Sequence, residues 1–127
     1  MSHSHFPLYI GNFLFNPQTL SRILLSSSGR NWSLEVYNPS AGVMAGAPAS
    51  NGYKPGFAAE LMLKDLRLAA ELREEVGLEW GLGDEARLSY QQHVAKGHGA
   101  TDFSSIMQAI NSCGNNDSLD TNNERVD

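Results

Sequence analysis

Residues 53–70 read YKPGFAAELMLKDLRLAA, and this stretch decides the fold. Lys54-Pro55-Gly56 is a turn signal. Behind it, apolar residues recur at helical spacing as far as Val76, and Gly77 supplies a C-terminal stop. On a helical wheel with Phe57 at zero, Leu68, Leu61, Leu72, Val76, Ala69 and Met62 occupy an arc from about 20° to 140°. Glu60, Arg67, Glu71 and Glu74 lie on the opposite side. Asp65 falls at about 80°, inside the apolar arc, and Lys64 at about −20°, on its border beside Phe57 and Leu68. A carboxylate on an apolar face is costly unless it is paired or used. Asp65 is therefore either half of a structural or solvent-wetted ion pair, or, with Lys64, part of a cleft that touches a ligand. Periodicity alone does not choose between the two.

Upstream, Asn16-Pro17 is a helix start, with Asn as N-cap and Pro at the first helical position. Leu20, Ile23 and Leu24 give that helix a short apolar stripe, and Ser26-Ser27-Ser28-Gly29 ends it. Arg30 to Tyr37 reads as a second short helix carrying Trp32 and Tyr37, whose ordinary role is packing. Asn38-Pro39 closes it, and Ser40 to Gly52 is a long Gly, Ala, Ser and Pro loop of the kind that is often functional or mobile. Residues 1–15 are aromatic and apolar and read as a strand or as a segment covering exposed core.

Downstream, Leu78 to Leu82 is a linker. A helix follows Gly83-Asp84 to about Lys96, with Ala86, Tyr90 and Val94 inward and Gly97 as its stop. His93 and His98 read as surface histidines with nothing nearby to make them bases or ligands. Asp102 caps a last helix to about Ile110, with Phe103, Ile106 and Ile110 inward. Residues 112–127 are rich in Asn, Asp and Ser and are expected to be disordered.

The 127 residues carry 9 Lys and Arg against 14 Asp and Glu, a net charge of −5, so no basic patch points to nucleic acid or a membrane surface. The single Cys113 leaves no internal disulfide and fits a reducing compartment. No apolar run reaches membrane-spanning length. His3 and His5 are too few to make a metal site. No Gly-x-Gly-x-x-Gly turn and no nucleophile–base motif occurs.

Five short motifs stand in order: Ser27-Ser28-Gly29-Arg30-Asn31-Trp32-Ser33; Tyr37-Asn38-Pro39 with Gly42-Val43-Met44; Gly56-Phe57; Lys64-Asp65-Leu66; and Asp102-Phe103-Ser104-Ser105. Together, at these spacings, they resemble the β-hydroxyacid dehydrogenases of the 3-hydroxyisobutyrate type, in the C-terminal helical domain and over residues 17–110. The resemblance implies an all-α, partial 6-phosphogluconate-dehydrogenase-like domain over residues 16–111, with no Rossmann domain, flanked by an unmatched segment 1–15 and a tail 112–127. It implies NAD or NADP as cofactor, the choice between them lying in the dinucleotide-binding domain. The small 3-hydroxy acid is the implied substrate, oxidised to methylmalonate semialdehyde in valine catabolism. By resemblance Lys64 and Phe57 are cofactor-binding, and Asp65, Trp32 and Tyr37 are substrate-binding.

The family's general acid/base lysine has no counterpart, because the only lysines are Lys54, Lys64 and Lys96 and Lys64 matches a different position. No catalytic residue is therefore assigned, and the chain is expected to be inactive alone. The alternative is a non-catalytic helical module that associates with itself or with a full-length subunit. The family is mitochondrial in eukaryotes; Met1 to Phe15 carries no Lys or Arg, unlike a transit peptide, so a cytoplasmic location is the default expectation.

Overall fold

Asn16 turns the chain into its first helix by local chemistry. Its side-chain oxygen accepts from the Thr19 amide at 3.0 Å, and Pro17 takes the position where a missing N–H is harmless. The computed structural model describes residues 8–10, 13–79 and 81–116. Five α-helices lie in it: α1 Pro17–Leu25, α2 Trp32–Val36, α3 Ala59–Glu75, α4 Leu82–His93 and α5 Ile106–Asn116. The chain is thus mostly helical, as the periodicity predicts. The departure from an all-helical reading is an antiparallel pair, β1 Leu8–Ile10 and β2 Phe13–Phe15, in the register Leu8 to Phe15 and Ile10 to Phe13. It is the only sheet among the described residues.

The long loop between α2 and α3 is pinned. The buried Asn38 donates to Ser21 on α1 at 3.0 Å and accepts from the Ser40 amide at 3.0 Å. Asn51 donates to the carbonyls of Ala45 and Ala47, both at 2.9 Å, and Pro48–Asn51 closes into a single 3₁₀ turn with Ala47 and Ala49 buried. Tyr53 ends the loop in the left-handed region, at φ 55°, an uncommon conformation for a side chain of its size.

Helix α3 begins after Ala58 and ends at Glu75, with Gly77 at φ 72° terminating it as expected. The face it buries is not the arc read from the sequence. Ala59 and Leu63 are buried and Met62, Leu66, Ala70 and Arg73 are half-buried, a face from roughly 140° to 240° on the same wheel. Leu61, Leu68, Leu72 and Val76 are 42%, 54%, 60% and 61% exposed. The return helix α4, tethered by the short link after Val76, covers one side of α3, and nothing among the described residues covers the other. The covered side is keyed by a buried Asp84, which accepts from the Gly81 amide at 3.0 Å and meets Arg73 at 3.5 Å.

Three further expectations are corrected. Ile23 and Ile110, expected inward, are 54% and 60% exposed. Helix α5 runs on to Asn116, into the stretch expected to be disordered, because Asn and Ser at its end do not by themselves break a helix. Residues 117–127, His3 and His5 lie outside the described residues, as does the side chain of Cys113.

Candidate functional site

Between α2 and the start of α3 stands a row of aromatic rings. Trp32 opens α2, which Asn31 caps by accepting from the Leu34 amide at 3.1 Å. Tyr37 closes the helix. The two rings stack at 5.3 Å between centroids, 19° from parallel. Tyr37 stacks in turn on Phe103 at 5.4 Å and 18°, and Phe103 meets Phe57 edge-on at 6.1 Å and 76°. Offset stacking and edge-to-face contact are the favoured arrangements of such rings. The row therefore joins residues from three separate segments into one wall. Trp32 forms its outer end, at 61% exposed.

A carboxylate sits behind the wall. Asp102 is fully buried and accepts five hydrogen bonds: from the Tyr37 hydroxyl at 2.7 Å, the Gly56 and Phe57 amides at 3.0 and 3.1 Å, and the Ser104 amide and hydroxyl at 3.0 and 2.6 Å. Burial pushes the Asp102 carboxyl up, and the hydrogen bonds from Ser104, Phe57 and Tyr37 more than reverse this, holding it below the usual carboxylate value. Burial and then the bond to Asp102 push the Tyr37 phenol up to about 12. At neutral pH the pair is therefore a neutral phenol donating to a charged carboxylate. Sequence reading assigned Asp102 only as a cap, which it is, for the 3₁₀ turn Phe103–Ser105. The Asp-Phe-Ser-Ser motif was the available signal for the rest.

Lys64 and Asp65 lie elsewhere on α3. They pair with each other at 3.1 Å, with side chains 62% and 52% exposed. The apolar arc that was to bury Asp65 faces outward, so its carboxylate meets solvent and a lysine. An exposed pair of this kind contributes about 0–1 kcal/mol and leaves the Lys64 ammonium free to change partners. Phe57 lies two residues before α3, separated from it by the extended cap Ala58, and Lys64 is on the second turn of the helix. The five residues singled out from the sequence thus fall into two groups. Trp32, Tyr37 and Phe57 join one wall, with Phe103 as a member not foreseen. Lys64 and Asp65 stand on the open face of α3.

The two histidines read as surface residues are not so. His93 is 2% exposed at the end of α4, and its Nε2 lies 2.7 Å from the Ser105 hydroxyl. Its ring stacks on half-buried His98 at 4.6 Å and 17°. Gly97, at φ 94°, folds the Val94–His98 turn back and allows this contact. Burial, and then the charges of His98 and Lys96, lower the His93 pKa, so its imidazole is held neutral. Tyr90 on α4 completes the support by donating to the Phe103 carbonyl at 2.9 Å. The row behind the wall is therefore braced from α4 by Tyr90 and His93.

A separate cavity of about 450 Å³ opens between the long loop and α5, lined by Ser40, Tyr53, Met107, Gln108, Asn111 and Ser112 among others. None of the wall residues and neither Lys64 nor Asp65 lines it. Among the described residues no group of three His, Cys, Asp or Glu side chains could hold a metal ion, and no helix is long and apolar enough to cross a membrane.

A protein family described as NAD-binding of NADP-dependent 3-hydroxyisobutyrate dehydrogenase matches residues 11–110. The chain is 47% identical over 90 residues to a probable mitochondrial 3-hydroxyisobutyrate dehydrogenase of Arabidopsis thaliana, covering 71% of this chain and 26% of the relative. It is 45% identical over 95 residues to the 3-hydroxyisobutyrate dehydrogenase of Pseudomonas aeruginosa, covering 73% of this chain and 32% of the relative. A solved 3-hydroxyisobutyrate dehydrogenase from Mycobacterium tuberculosis, studied with L-serine, superposes with a TM-score of 0.70 at 32% identity, over 74% of this chain and 32% of that one. The chain therefore spans between a quarter and a third of the length of these relatives.

Proposed function

The chain belongs to the NAD-binding family of the 3-hydroxyisobutyrate dehydrogenases, and on that premise we propose that it supplies the helical, substrate-facing part of an NAD(P)-dependent oxidoreductase acting on a small 3-hydroxy acid. The aromatic row Trp32–Tyr37–Phe103–Phe57, anchored on a buried carboxylate, is the observation that carries this reading. Such a wall excludes water and takes the apolar side of a small acid. The bound dinucleotide would accept the hydride. Lys64, an exposed cation on α3 paired with the likewise exposed Asp65, suits the phosphates or ribose oxygens of that dinucleotide. Asp65 keeps the ammonium in place until the anion arrives.

Proton removal from the hydroxyl falls outside this set. Lys54 lies in the turn before α3 and Lys96 in the turn after α4, and neither joins the wall. On this reading these residues do not complete a catalytic set, and turnover calls on the rest of a family polypeptide, of which they span a quarter to a third. A second reading, a helical module that docks on a full-length subunit, is favoured by the exposed Leu61, Leu68, Leu72 and Val76 on α3.

The test is a graft of residues 17–110 in place of the matching segment of a full-length relative. Lys64→Ala in the graft should raise the cofactor KM or lower kcat/KM by roughly 10–150-fold, the worth of one charged hydrogen bond. Asp65→Asn should lower activity with little change in unfolding temperature. Unaltered kinetics in both variants would remove the cofactor role of α3 and leave the docking reading.

A further inference from the structure

We propose that Asp102, rather than Asp65, is the carboxylate on which the substrate wall depends, acting as a positioning residue that sets where the Tyr37 ring stands relative to α3. The role rests on reading the aromatic row as a wall for substrate, and the geometry separates it from simple turn formation.

The two oxygens of Asp102 do different work. Oδ1 takes both bonds from Ser104, and these suffice to form the turn. Oδ2 takes the Tyr37 hydroxyl and the Gly56 and Phe57 amides, groups 65, 46 and 45 residues away in the chain. The strap that carries Asp102 is already held without its side chain. Asp102 N–H donates to the Tyr53 carbonyl at 2.9 Å, Phe103 N–H to the Phe57 carbonyl at 2.8 Å, and Ala59 N–H to the Thr101 carbonyl at 2.8 Å. From behind, Ser105 meets His93 and Tyr90 donates to Phe103. What Oδ2 adds beyond these bonds is the closure of the Gly56–Phe57 turn and, through the one side chain among its donors, the position of Tyr37.

The neighbouring residue completes the device. Phe103 stacks on the face of Tyr37 while Asp102 holds its hydroxyl, so one dipeptide fixes both the plane of the ring and its rotation within that plane. Gly56 belongs to the same arrangement. A Cβ there would stand 2.5 Å from the Tyr37 hydroxyl oxygen, so the absence of a side chain makes the room the phenol occupies. Asp65 has no comparable set of partners: its one ion pair is with the adjacent Lys64, in solvent.

The experiment uses the full chain and solution NMR, reading the inter-ring NOEs from Trp32 to residue 37 and from residue 37 to Phe103, with far-UV circular dichroism for helix content. Three variants separate the two oxygens. Asp102→Asn keeps the volume but leaves one accepting oxygen for two sets of donors. Tyr37→Phe cuts only the Oδ2 bond to the ring. Ser104→Ala removes the hydroxyl that bonds Oδ1. The expected result is loss of the inter-ring NOEs in Asp102→Asn and Tyr37→Phe, retention in Ser104→Ala, and wild-type helix content in all three. Retained NOEs in Tyr37→Phe, or equal loss in Ser104→Ala, would overturn the proposal by reducing Asp102 to a turn residue. If Asp102→Asn does not fold, the other two variants decide. No ligand or turnover enters the measurement, so its failure is distinct from a failure of the graft kinetics.

Discussion

Replacing Gly56 by alanine loads the aromatic wall at one point, and the consequence can be worked from the geometry. The added Cβ would meet the Tyr37 hydroxyl at 2.5 Å and the Asp102 Oδ2 at 3.4 Å. Trp32 and Phe103 stack on Tyr37 at 5.3 and 5.4 Å, so a shift of the ring also disturbs those stacks. The hydroxyl must leave Asp102, which forfeits a hydrogen bond to a charged group, about 1.5–3 kcal/mol. Disturbing the ring stacks adds about 1 kcal/mol. Against this, Gly56 is not among the glycines with positive φ, so alanine fits its backbone and narrows the unfolded ensemble, a gain of about 0.4–1 kcal/mol. The net loss is about 2–3 kcal/mol.

Tyr37→Phe should cost a similar amount, but it also removes the obstacle. Even where the wild-type ring stands, its Cζ is an unstrained 3.7 Å from the new methyl, and a ring no longer tied to Asp102 can only yield further. Gly56→Ala in the Tyr37→Phe chain should therefore change stability by no more than about 0.5 kcal/mol in either direction, giving a coupling energy of about 2 kcal/mol. Urea unfolding of the four proteins, followed by circular dichroism, measures the cycle. An equal cost of Gly56→Ala in both backgrounds would refute the reasoning, since the clash would then not be with the phenol.

Two further outcomes are expected. His93 is buried and its pKa lowered, so the unfolded state binds the extra proton; its contribution to stability is complete above about pH 6.5 and is lost as pH falls below that value. Thermal unfolding of wild type and His93→Gln across pH 7.5 to 5 checks this, and parallel curves for the two would sink it; the depressed Asp102 carboxyl acts only lower, below about pH 4. The exposed Leu68 and Leu72 should drive association at micromolar concentration, and Leu68→Glu with Leu72→Lys should return the chain to monomer in sedimentation; a cooperative wild-type monomer would count against it.

Much of the site's material was legible in the sequence, and its assembly was not. Trp32, Tyr37 and Phe57 were singled out by the family resemblance of the motifs that carry them; read from the residues alone, Trp32 and Tyr37 are packing aromatics. Phe103 and Asp102 lay in a motif of the same kind, yet read locally they are a core residue and a cap. His93 was misread although Tyr90, one helical turn before it, was read as inward: Gln91, Gln92 and Lys96 around it are polar, and only the fold brings Ser105 and His98 to its ring.

The sequence by itself determined several element boundaries. Asn16 with Pro17, Asn31 and Gly77 set them through bonds and backbone angles that involve residues within about four positions, so the information is local. It also determined that α3 has an apolar side. Only the tertiary structure decided which side is covered, because amphipathicity states a preference and burial follows where the neighbouring elements pack. Here the side with Ala59, Leu63, Leu66 and Ala70 is covered, and among the described residues the richer face stays open. Only the tertiary structure, too, decided that Asp102 answers to Tyr37, 65 residues away, rather than to its own turn alone. A buried carboxylate must collect its donors wherever the fold delivers them, and no local pattern records that delivery.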